Sequence, residues 1–197
     1  MQSDPRHFGF KQFYHTARHF FSALPTLVKN RKTKLIPQAF IERVMLAVTQ
    51  VNGCEACSYA HTKMAFEAGL SREEIKSFLS GSADFVREAE APAILFAQHY
   101  ADTDGHPDCG VYHQFVETYG QEKAGIILSA IQVIQLGNIL GIPLSALRSR
   151  LKGRPYNNSS LLHEIGLPLS AVIIFPAAFL HFLIRRPRPL CEDAIPI

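Results

Sequence analysis

Apolar side chains recur at three- and four-residue spacing in one segment after another of this 197-residue chain, and no run alternates at the two-residue period of a strand. That periodicity predicts an all-α fold. Residues 6–30 carry a stripe of Phe10, Phe13, Tyr14, Ala17, Phe20, Phe21 and Leu24, expected as one helix or as two broken at Pro25. The basic run 29–34 reads as a solvated break. A second helix is expected over 37–50, with Pro37 suited to its first turn and Phe40, Ile41, Val44, Met45 and Val48 inward. Asn52 and Gly53 end it, and a third helix runs from Cys54 to Ala68. Ser71 and Glu74 form a capping-box pattern ahead of a short helix over 72–79. Further helices are expected over 92–100, 111–119 and 122–140, with Gly141 and Pro143 breaking the last.

Hydrophobic residues make up 47% of the chain and charged residues 19%, a balance that buries a core and excludes disorder. The net charge of +3 is dispersed, without a basic run interleaved with aromatics, which argues against nucleic acid as a partner. The first twenty residues lack an apolar signal-peptide core and a small-residue cleavage site, so a reducing, cytoplasmic setting is expected. Cys109 and Cys191 are then expected to be ordinary reduced cysteines. Residues 166–184 stand apart: nineteen positions without a formal charge, followed by Arg185, Arg186 and Arg188. Such a stretch reads either as a membrane contact or as an apolar helix buried in the core or in an oligomer interface. The chain therefore divides into a helical extension over 1–34, a core domain over 35–160 and an apolar tail over 161–197.

One constellation carries chemistry. Cys54, Cys57 and His61 are spaced by three and four, so a helix starting at Cys54 lines them on one stripe. A thiol at a helix N-terminus feels the positive end of the dipole, which favours thiolate at Cys54. An imidazole one turn from Cys57 can take and return a proton, which favours Cys57. On the preceding helix, Glu42 stands among apolar neighbours at a depth similar to that of His61 across a short turn, where it can orient the imidazole. The rival is zinc: Cys54, Cys57 and His61 together with His106, Cys109 and His113 contain enough ligands for a tetrahedral site. Zinc gives Glu42 no role, and a chain rich in apolar helices has little need of a structural metal.

The pattern Glu42-x11-Cys54-x2-Cys57-x3-His61, with Thr62, Lys63 and the run from Ala68 to Ile75, resembles the signature of alkylhydroperoxidase D (AhpD)-like proteins of the carboxymuconolactone decarboxylase superfamily. The resemblance continues more weakly through 91–97 and 126–140, where Asn138 sits in a family-like helix. It implies an all-helical domain assembled as trimers or hexamers. It also implies a thiol peroxidase in which Cys57 attacks a hydroperoxide, Cys54 resolves it to a disulfide, and His61 and Glu42 relay protons. No bound cofactor or metal is implied; a dithiol donor protein resets the disulfide. Some peroxidatic members carry a histidine immediately before the second cysteine, where this chain has Ala56. The decarboxylase branch is a poorer match, because its members generally lack the cysteine pair.

Overall fold

The computed structural model describes residues 5–191. Among them lie seven helices and no strand: α1 (Phe10–Thr33), α2 (Gln38–Asn52), α3 (Glu55–Glu67), α4 (Arg72–Ser80), α5 (Ala91–Asp102), α6 (Cys109–Leu151) and α7 (Leu161–Ile184). The all-α expectation holds. α6 is the spine, with α1, α2, α3, α5 and α7 all packed on it. α2 lies between α5 and α6, and its residues from Phe40 to Thr49 are all buried.

The breaks expected at the basic run and at Gly141–Pro143 are not breaks, and of the two readings left open at Pro25 the single helix is the one that forms. α1 runs through Pro25 and through most of the basic segment, ending only at Lys34 in the left-handed conformation. Within that segment Asn30 is buried. Its amide donates to the Ile36 carbonyl (2.9 Å) and accepts the Ile36 N–H (3.0 Å), fastening the turn into α2. α6 continues through Gly141 and Pro143 for two more turns. Proline deletes one hydrogen bond of the ladder, but Gly141, Ile142, Pro143, Ser145 and Ala146 are all buried, so packing outweighs the local cost. The true interruption of α6 is Gly120, whose φ of 71° and ψ of 158° lie outside the helical region. It falls where the expected helices 111–119 and 122–140 meet.

Ser71 caps α4 by accepting the Glu74 N–H at 3.1 Å, which is half of the expected capping box. The Glu74 carboxylate turns away and meets Arg43 at 2.6 Å. Arg43 also reaches Glu90 at 3.2 Å, so a charged side chain on the core helix is enclosed between two carboxylates.

The expectation for Cys109 and Cys191 is overturned: the two are joined in a disulfide across 82 residues of sequence, with Cα atoms 5.6 Å apart. The segment after α7 folds back to the start of α6, a proximity no local pattern encodes. α7 begins at Leu161, capped by Ser160, and passes through Pro168 and Pro176. Its fully buried Glu164 receives two hydrogen bonds from Arg150 (2.7 and 2.8 Å), pinning it to the end of α6. α6 and α7 are both long and apolar enough to cross a membrane, but most of that stretch in α6 is core. α7 instead exposes Leu162, Leu169, Val172, Ile173, Leu180 and Ile184. That surface is compatible with a lipid contact and equally with cover by another protein surface.

Candidate active site

The turn between α2 and α3 builds the centre. Gly53 caps α2 with φ of 71°, a conformation glycine adopts without strain. Cys54 is then the N-cap of α3, and its sulfur accepts the Cys57 N–H at 3.3 Å. Cys54 and Cys57 form a disulfide, with Cα atoms 5.3 Å apart. Cys54 is fully buried and Cys57 is 8% exposed.

The antiparallel packing of α2 on α3 brings together what the sequence sets nineteen residues apart. Glu42 Oε2 lies 2.8 Å from His61 Nδ1. Glu42 is fully buried, yet its second oxygen is also satisfied, by Gln38 Nε2 at 2.7 Å. A carboxylate so placed accepts the Nδ1–H of His61 and leaves Nε2 as the nitrogen able to exchange a proton. The chain Gln38–Glu42–His61 forms part of the wall of a cavity of about 490 Å³. Most of the remaining lining is apolar, including Leu24, Ile41, Met45, Met64, Leu140 and Phe175, with Arg31 as the one formal cation.

α6 supplies the other wall, and there the sequence pattern alone did not reveal the operative residues. A Cβ built on Gly141 would stand 2.7 Å from both Cys54 Sγ and Cys57 Sγ. The residue expected to break the helix is thus the one that lets α6 approach the disulfide. One turn on, Ser145 Oγ accepts the Ala56 N–H at 3.1 Å and donates to the Gly141 carbonyl at 2.9 Å. The signal was present as small residues at four-residue spacing, Gly137, Gly141 and Ser145. Gln38 was likewise legible as the position one helical turn before Glu42. Asn138 is buried against Thr49 of α2, at 3.3 Å, rather than lining the cavity.

The alternative zinc grouping is not assembled. Cys54, Cys57 and Cys109 are each in a disulfide, and His106 lies with His15 and His19 in a separate cleft. No group of three or more His, Cys, Asp or Glu among the described residues is placed to hold a metal ion. In that separate cleft burial, with Arg18 beside it, lowers His19 to about 4.

The carboxymuconolactone decarboxylase family model matches residues 19–98, a stretch containing Glu42, Cys54, Cys57 and His61. The matched stretch, from α1 into α5, is similar to this family and consistent with an AhpD-like member of the superfamily. No curated protein and no solved structure matches the chain.

Proposed function

We propose that the chain is a cysteine-dependent thiol peroxidase of AhpD type, reducing organic hydroperoxides through Cys54 and Cys57. The observation that carries this is the Cys54–Cys57 disulfide, one helical turn from His61, which is paired with the buried Glu42 on a mostly apolar cavity wall. In the reduced protein the Cys57 thiolate attacks the terminal peroxide oxygen. The O–O bond breaks, and the alcohol leaves with a proton delivered through His61 Nε2. Glu42 holds the imidazole in the tautomer that allows this and stabilises its charged form. Cys54 then attacks the sulfenic sulfur of Cys57, water departs, and the disulfide closes. An external dithiol donor reopens it, and no cofactor is needed.

The other assignments are of a piece with this reading. The protein works as a homo-oligomer, trimer or hexamer as the resemblance implies, and the exposed face of α7 is covered by lipid or by a neighbouring subunit.

The test is peroxide consumption with an excess of dithiol. Cys57→Ser is expected to fall to the uncatalysed background while keeping its helical signal; an undiminished rate would overturn the mechanism.

A further inference from the structure

Two cavities lie along α6 on either side of its approach to the disulfide, and they differ in character. Along α6, Gly137 and Leu140 line the apolar cavity, Gly141 lies where an added Cβ would meet both sulfurs, and Leu144, Ser145 and Arg148 line a second, open cleft of about 700 Å³. The cleft's floor is Ala56, which lies between the two cysteines in sequence and is tied to α6 through Ser145. Around it stand Tyr59, 83% exposed, and Leu144, 51% exposed, with the side chains of Arg148 and Lys152. Neither Arg148 nor Lys152 forms an ion pair among the described residues. The one acid in the cleft, Glu55, faces Tyr156, whose hydroxyl is pushed up to about 12 by burial and by that carboxylate. The cleft thus presents two cations against one acid, beside exposed apolar surface and next to Ala56, the residue between the two cysteines.

We infer that this second cleft admits the reductant and that the reductant is an anionic dithiol, so that hydroperoxide and electron donor reach the cysteine pair from opposite sides. The inference rests on reading Cys54–Cys57 as a redox pair. Arg148 and Lys152 draw the donor's negative charge to the cleft, and Tyr59 and Leu144 cover its apolar stem. One donor thiolate attacks a sulfur of the disulfide, forming a donor–protein S–S bond and expelling the other sulfur as thiolate. The donor's second thiolate attacks that mixed bond. The donor leaves as an internal disulfide, two electrons have passed to the protein, and the two protons lost by the donor are taken up by Cys54 and Cys57. Two separate approaches let the mostly apolar cavity hold one reactant while the other binds, and they give the cleft's two unpaired cations a role.

The test reads reduction alone, with no peroxide present, so its failure leaves the peroxidase reading standing. Oxidised full-length protein is mixed with dimercaptopropane sulfonate or with dimercaptopropanol, a matched pair differing in one negative charge. Thiols are trapped at intervals and mapped by mass spectrometry, so that Cys109–Cys191 is counted separately. The sulfonate is expected to reduce Cys54–Cys57 about tenfold faster relative to the alcohol in wild type than in the doubly substituted Arg148→Ala/Lys152→Ala protein. The advantage should shrink with added salt. Arg31→Ala, at the apolar cavity, should leave the ratio unchanged. A ratio equal in wild type and the double variant would reduce the two cations to ordinary charges at a helix C-terminus and overturn the inference. So would loss of the preference in Arg31→Ala, which would bring the donor through the cavity. A changed oligomer mass in the double variant would give the cleft to a subunit contact and would overturn the inference as well.

Discussion

Glu42 and Arg43 are neighbours on one helix, both buried charges, and they face opposite fates. Arg43 turns toward α4 and α5, where Glu74 and Glu90 close around it, and it takes no part in lining the cavity. Glu42 turns toward α3, where Gln38 and His61 satisfy it but the same three side chains line a cavity. A charge locked among charges holds elements in place. A charge whose partner's second nitrogen is spare on a cavity wall is placed as the proposed proton relay requires. Burial alone does not separate the two; the surroundings of the partner do.

The contrast between the two residues breaks most readily at Arg43. Removing it leaves two nearly buried carboxylates facing each other without a cation, which costs about 3–5 kcal/mol. Arg43→Ala is therefore expected to lose more stability than substitution of Glu42 or of any glycine in α6, read as a fall in the urea midpoint. Any activity should fall only in proportion to the folded fraction. A stable Arg43→Ala protein with a specific loss of turnover would reverse the two residues' roles.

Glu42→Gln should do the opposite. Glutamine keeps the size and one acceptor, but it cannot hold the imidazole's charged form. The peroxide reduction rate is expected to fall by about a hundredfold, with a stability loss of about 1–3 kcal/mol for one unmatched hydrogen bond. Equal rates in wild type and variant would take Glu42 out of the relay, and a stability loss as large as that of Arg43→Ala would make it a structural residue.

That contrast also explains which features the sequence makes legible. Glu42, Cys54, Cys57 and His61 were legible because a helix–turn–helix with a glycine at the turn fixes their relative depth, and those are local quantities. Arg43 was not, because a charge on a helix normally points to water and its burial depends on Glu74 and Glu90, which come from other elements. The disulfide to Cys191 was illegible for the same reason at greater separation. Gly141 and Pro143 defeat the local rules outright: helix-stop rules weigh what a residue costs its own helix, and here the deciding contact is with two sulfurs on α3.

On the α6 side, Gly141 carries the smallest expected effect. A methyl group there meets both cysteine sulfurs at 2.7 Å, inside any normal contact distance, and they are fixed to the first turn of α3. Either α3 shifts off α6 or the sulfurs move, and such overpacking costs about 1–3 kcal/mol. Gly125 on the same helix is the control. A methyl group there meets nothing within 4 Å, and alanine in an unobstructed helix interior is better than glycine by about 0.5–1 kcal/mol. Gly141→Ala should therefore lower the unfolding midpoint and slow turnover, while Gly125→Ala raises the midpoint and leaves turnover alone. If the two substitutions behave alike, the close approach of α6 to the disulfide is not what requires glycine at 141, and the wall assigned to the open side of α2 lies elsewhere.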